Sequence, residues 1–527
     1  VAAQIQEIID DQIPELSGGL IKKCFPHYLR PLPSSTIMEF SPRSKLPESL
    51  IVKKGTYFNS IAVSGTVCKF KSTQDCRVDP VSISNIGLIE NVGQKRYIEI
   101  DFKISSNFKI SKWFANDLNL HLGGDLTEAT QLYYLLLRGV ESVAVEIDGQ
   151  EHILPNDVIC AGGFDTDDGI LPYPGNADIS YRILQEYFLM PEKYLYINIA
   201  NLSSLNTASE SQEVKLKFIL RNDVTKLPQL AEQSFILHTV PAVNIFDYDA
   251  KPIEVSGFHY RYPIYPDTRE RNHFPIYAVK HVQSYQQGVV KPKQYYSIDD
   301  MNSANIDKSC FDITNRFSNN SVGMEFYISI LNGEEQVNDG EETLSIELEC
   351  SNGNLPEHLS VGEISAASNN SSSLLNFKNI YAPTVYKNQP EDDDWMWRLQ
   401  SMLSLNYLSI ANAENLRSFL EFYLFLNKGE HTSSNRFHTQ ISSIEDVQVV
   451  DSERMVAGVS IRGYKIQIKL QMNKFSSKGS VFLFGSILDK FFAMYSTINT
   501  FTALELVDTA SGERIEWLPK VNNQLLS

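Results

Sequence analysis

Long apolar runs are missing from this 527-residue chain. A helix needs about 18 or more uninterrupted apolar residues to cross a bilayer, and the most apolar helical stretch, Phe419 to Leu426, is short and broken by Glu421. No membrane-crossing helix is expected. Positive charge is also scarce: 46 Lys and Arg stand against 64 Asp and Glu, a formal net charge of -18. Nucleic acid and anionic lipid both recruit clustered Lys and Arg, so neither is expected as a partner. Cysteines number six, at 24, 68, 76, 160, 310 and 350, without a CxxC pair. That leaves no zinc or dithiol motif and points to buried free thiols in a reducing cytosol.

Catalytic signatures are equally sparse. The chain has no GxxxxGK[ST], no GxGxxG between strand and helix, no HExxH and no GxSxG, which removes the phosphate-cradling, metalloprotease and hydrolase fingerprints. Its ten histidines form no HxH or HxxxH pair. Asp165-Thr166-Asp167-Asp168-Gly169 imitates the start of a calcium loop, but glycine stands fifth and Asn176 takes the twelfth place, where a bidentate Glu is needed. It reads as an acidic surface loop. No catalytic residue, cofactor or metal ligand is expected, and neither is enzymatic activity. The chain opens at Val1 inside a helical pattern, with no charged n-region or cleavage site, so residues before Val1 are expected to be missing or cut away.

What is present is aromatic and strand-like. Tyr and Phe number 25 and 28, residues favoured in sheets and at interfaces. Ile5, Ile8, Ile9, Ile13 and Leu16 predict an opening helix, and Pro26, Pro31 and Pro33 then impose an extended path. Alternation predicts strands at Ile98 to Ile104, Ala144 to Leu154, Val214 to Leu220, Leu344 to Leu348 and Tyr464 to Met472. Helices are predicted after Asp125 with Glu128 completing a capping box, over Ser180 to Met190, over Trp395 to Leu408, after Asn412, and through the apolar face Phe484 to Ile498. The run Ser365 to Ser373 and the acids Glu391 to Asp394 read as loops or a linker. The expected class is multidomain α+β: a helical and extended N-terminal segment (1–35), an α+β unit (36–234), a sandwich or barrel-like β-rich unit (235–390) and a C-terminal α+β unit (391–527).

Five blocks carry a resemblance. They are Pro14-Glu15-Leu16 with Cys24-Phe25-Pro26-His27-Tyr28-Leu29-Arg30-Pro31-Leu32-Pro33-Ser34; Leu171-Pro172-Tyr173-Pro174 with Tyr181-Arg182-Ile183-Leu184-Gln185-Glu186-Tyr187-Phe188 and Pro191-Glu192-Lys193-Tyr194; Pro241-Ala242-Val243-Asn244-Ile245-Phe246 continuing to Tyr262-Pro263-Ile264-Tyr265-Pro266-Asp267; Trp397-Arg398-Leu399 with Leu403 to Ser409; and Val481 to Gly485 through Tyr495 to Phe501. In this order they resemble the TssF family of type VI secretion baseplate proteins, with Ser180 where the family usually has glycine. The resemblance implies a structural wedge subunit without catalytic activity. It implies two copies per TssG-like subunit, contacts with TssK, TssE, the VgrG spike and sheath or tube proteins, self-contact within the wedge, and a cytoplasmic position at the inner face of the inner membrane.

The stiff proline strip suggests where a partner would bind. Phe25, Pro26, His27, Tyr28, Leu29, Arg30, Pro31 and Pro33 form the expected protein-interaction segment, with Tyr28 and Arg30 as the residue types that dominate interfaces. The alternative is that Tyr28 packs inside its own domain and Arg30 caps a helix or pairs with an acid.

Overall fold

The computed structural model describes residues 28, 30–43, 46–90, 95–173, 179–205, 211–255, 260–286, 291–298, 309–317, 324–331, 342–388, 399, 412–425, 431–456, 459–495, 500–521 and 524–525. The predicted opening helix lies outside them, as does the predicted helix over Trp395 to Leu408 apart from Leu399.

Strands dominate, and the alternation that predicts them is the alternation that buries them. Ile98, Ile100, Phe102 and Ile104 are buried on one face of Tyr97–Ile104, and Val214, Leu216, Phe218 and Leu220 on one face of Glu213–Leu220. These strands are antiparallel neighbours, with Ile100 opposite Leu216 and Ile98 opposite Phe218. Their intervening charges pair on the outer face, where Lys215 Nζ lies 3.2 Å from Glu99 and Lys217 Nζ 2.6 Å from Glu146. Val81–Ile89, Val140–Ile147 and Gln150–Pro155 complete a five-stranded sheet. The last two strands turn at Asp148 and Gly149, whose φ values of 50° and 75° give the twist a two-residue hairpin needs.

A six-stranded sheet is assembled from distant stretches, in the order Ile364–Ala367, Tyr57–Val63, Thr66–Ser72, Thr239–Val243, Ser35–Pro42, Leu375–Asn379. The units expected at 36–234 and 235–390 share it. The polar run from Ser365, read as a loop, begins within one of its strands, because Ala366 and Ala367 find Asn59 and Phe58 as partners. Between Phe246 and Cys350 a further sheet carries the expected β-rich fold, with Leu344, Ile346 and Leu348 in its core.

Among the described residues the helices are α1 (Ile110–Phe114), α2 (Leu126–Arg138), α3 (Ile179–Leu189), α4 (Ala413–Phe425), α5 (His431–Ser442) and α6 (Lys478–Tyr495). The Asp125 carboxylate caps α2 by accepting from Thr127 N–H at 2.8 Å, and α2 closes at Gly139. The predicted box partner Glu128 does something else: it accepts the Gln229 N–H at 2.8 Å, holding a loop that passes the helix start. Asn412 caps α4 through Glu414 N–H at 2.9 Å. Helix α6 joins the parallel strands Val459–Leu470 and Phe501–Asp508, and its Phe484, Ile487, Leu488 and Phe491 are wholly buried. It lies directly against α2 at Gly479, where a Cβ would sit 2.1 Å from the Thr130 carbonyl oxygen. Among the described residues one core gathers side chains from Tyr28 to Leu237 and from Leu399 to Trp517, while the six-stranded sheet and the sheet between Phe246 and Cys350 have cores of their own, a mixed α+β, β-rich architecture as the sequence predicts.

Candidate functional site

The proline strip enters the molecule. Tyr28 is 2% exposed; its hydroxyl lies 2.8 Å from that of Tyr423 on α4, and its ring meets Phe422 edge-on at 5.9 Å. Tyr28 is therefore corrected from a presented residue to a core residue. Arg30 is half-buried with its guanidinium 5.4 Å from the Tyr277 ring centroid, and Pro31 is also half-buried. Leu32 exchanges backbone hydrogen bonds with Lys387, Leu32 N–H donating at 2.8 Å and Lys387 N–H at 3.0 Å. Pro33 is buried. Phe25, Pro26, His27 and Leu29 lie outside the described residues.

A cluster of buried charge sits on α3. Glu186 is 0% exposed and ion-pairs with Lys193, itself 2% exposed. The other Glu186 oxygen accepts from Ile170 N–H at 2.7 Å and Leu171 N–H at 3.1 Å. Arg182, one turn earlier, donates to the Thr166 carbonyl at 2.8 Å. Burial pushes the Lys193 ammonium below its ordinary range, and the adjacent Glu186 carboxylate opposes that shift. Both residues stand in one sequence block, but their spacing does not show that they meet. Their joint effect is to pin the loop from Asp165 to Leu171. That loop's acidic turn closes on itself, with Asp165 N–H donating to Asp168 at 3.0 Å.

Between α3, the segment Tyr381 to Lys387 and α5 lies a cavity of about 260 Å³. Phe188 to Glu192 form one wall, Tyr381 to Val385 with Lys387 the second, and Arg436 with Phe437 the third. The second wall is anchored from behind, since Thr384 N–H donates to the Ser35 carbonyl and the Thr36 hydroxyl to the Tyr381 carbonyl. No sequence feature marks this place, because Arg436 stands in a polar helix pattern.

Under the same wall His121 is fully buried, with Nε2 3.1 Å from the Tyr381 hydroxyl and Nδ1 without a hydrogen-bond partner among the described residues. Burial lowers its pKa from 6.5 to about 3. The unfolded chain thus binds a proton below pH 6.5 that the folded one refuses until about pH 3. The stabilisation is full above 6.5 and is lost as pH falls towards 3. At about pH 5 the loss from this group is about 2 kcal/mol. Urea unfolding of wild type and His121→Gln between about pH 7.5 and 5 should show the wild type losing stability more steeply, by roughly one proton per molecule. Parallel slopes would refute this.

Among the described residues no group of three His, Cys, Asp or Glu gathers to hold a metal, and no helix is long and apolar enough to cross a membrane. Cys68, Cys76, Cys310 and Cys350 are buried as predicted, whereas Cys160, in a short strand, is exposed; Cys24 lies outside the described residues.

The model of the family described as "Type VI secretion system, TssF" matches residues 1–524. Type VI secretion system component TssF1 of Pseudomonas aeruginosa strain PAO1 is 23% identical over 563 residues, covering 99% of this chain and 90% of that protein. A chain in the cryo-electron microscopy structure of the type VI secretion system TssK-TssF-TssG baseplate subcomplex superposes with a TM-score of 0.83 at 23% identity, covering 98% of this chain and 96% of its own. A chain of the baseplate complex from the type VI secretion system gives 0.64 at 20% identity, covering 100% and 91%. At such identities the likeness to the solved structures is one of fold.

Proposed function

Because this chain belongs to the TssF family of the type VI secretion system, we propose that it is a structural subunit of that system's baseplate and carries no catalytic activity. The observation behind this reading is the extent of the family match, residues 1–524, which takes in nearly every sheet and helix described above. A TssG-like and a TssK-like subunit are its proposed direct partners, by analogy with the assembly in which its fold recurs. Two copies of this chain join one TssG-like subunit in a wedge that also meets TssE-like and VgrG-like proteins and the sheath or tube. The wedge sits in the cytoplasm against the inner membrane. The physics of the chain is compatible: permanent assemblies need rigid subunits with broad surfaces, and a shared core joins the five-stranded sheet to α4 and α6.

Co-expression with the adjacent TssG-like gene, followed by native mass measurement, tests this. The expected product is a stable complex of two copies of this chain with one TssG-like subunit. A clean monomer at micromolar concentration in the partner's presence would overturn it.

A further inference from the structure

Two arginines, Arg182 and Arg436, keep a solvent-shielded Nε without an acceptor among the described residues, and they differ in what the rest of the guanidinium does. Arg77 bonds Asp79 at 2.8 Å, Arg514 bonds Glu505 at 3.2 Å, and Arg182 and Arg417 donate to backbone carbonyls at 2.8 and 3.0 Å. Arg436 is half-buried, its Nε is shielded from solvent without an acceptor, and it makes no ion pair or hydrogen bond among the described residues. The contact it does make is with the neighbouring Phe437 ring, 4.8 Å from its guanidinium carbon. In a chain with 64 acids an unanswered guanidinium is not for want of carboxylates. A shielded donor left unmade is costly, and a guanidinium fork matches a carboxylate in two parallel bonds.

Its surroundings are those of a receptor. Arg436 lines the cavity of about 260 Å³, large enough for an acidic side chain with adjoining backbone. Lys387 and Glu192 also line the cavity, and each already has a partner of its own, which leaves Arg436 as the cation for a ligand. Both facing walls are held in place: α3 by the Glu186–Lys193 pair at its end, and Tyr381 to Lys387 by hydrogen bonds to Leu32, Ser35 and Thr36. Preorganisation of this kind lowers the ordering cost of binding. The second wall is fixed to Ser35 through Thr384, whose N–H donates to the Ser35 carbonyl and whose hydroxyl accepts the Ser35 N–H, each at 2.9 Å.

From these observations we propose that the cavity around Arg436 receives an Asp or Glu side chain of a protein partner, with Arg436 as its counter-ion. The proposal rests on the assembly reading above and adds a specific contact to it. The test compares full-length wild type, Arg436→Lys, Arg436→Gln and Arg436→Glu for affinity to the co-expressed TssG-like and TssK-like subunits, with thermal melting of each variant alone. Expected are unchanged melting, at least about tenfold weaker binding of one partner by Arg436→Gln, a smaller loss for Arg436→Lys and a larger one for Arg436→Glu. Changing each Asp and Glu of the affected partner to Lys should yield one that recovers binding to Arg436→Glu. Wild-type complexes matched within twofold by Arg436→Gln would overturn this proposal alone, as would earlier melting of the isolated variants or the absence of any rescuing partner residue. A wild-type chain that forms no complex would overturn the assembly reading with it.

Discussion

Glu186→Ala is expected to cost about 3–5 kcal/mol of stability, the usual effect of removing one partner from a buried ion pair. The carboxylate is wholly buried and serves three donors: the Lys193 ammonium and the backbone N–H groups of Ile170 and Leu171. Without it Lys193 must either keep an uncompensated charge in the core or give up its proton, and burial already pushes it towards the second course. Two backbone donors are orphaned as well, each worth about 1 kcal/mol or more. Chemical unfolding should therefore move to markedly lower denaturant. Glu186→Gln with Lys193→Met should recover a large part of the loss, because the pair is removed together and only Arg182, 4.0 Å from Glu186, loses a nearby carboxylate. If the double variant is no better than Glu186→Ala, the damage comes from the loop and not from the charge.

Tyr28→Ala is expected to be comparably severe, about 3–5 kcal/mol, the range for truncating a large aromatic in a packed core. Its ring is 2% exposed against Phe422 and Tyr423, and its hydroxyl is bonded to that of Tyr423. Tyr28→Phe should cost only about 1 kcal/mol, since the ring stays and one hydrogen bond goes. The isolated Tyr28→Ala chain should melt earlier, and any loss of assembly should follow that loss of folding. Melting within error of wild type would show that Tyr28 is not packed as described. Arg30→Glu is the cleaner probe of the strip as an interface: Arg30 is half-buried and leans on Tyr277 alone among the described ring contacts. It should leave folding largely intact, so a change in partner binding there reports on the surface.

Local chemistry was legible from the residues. Alternation at Ile98 to Ile104 and Val214 to Leu220 foretold which faces are buried, and Asp125 and Asn412 announced helix starts that their side chains do cap. Each of these depends on neighbours within a few positions. Glu128 shows the limit. Its spacing suits a capping box, yet a loop residue 101 positions away offers a better-placed donor, and the side chain goes there.

What the sequence by itself determined is therefore the class: an acidic, β-rich, multidomain α+β chain of the TssF family, with its strand faces and helix caps in place. Tertiary structure alone decided which elements meet. It put Tyr28 against Tyr423, 395 residues away, and so turned an expected interface residue into core. It interleaved Ser35–Pro42, Thr239–Val243 and Leu375–Asn379 in one sheet, and it left Arg436 lining a cavity with no ion pair among the described residues. The reason is physical: periodicity of two or 3.6 residues records which side of an element is apolar, but burial is non-directional and says nothing of which apolar side will cover it. That choice is made only when the whole chain packs.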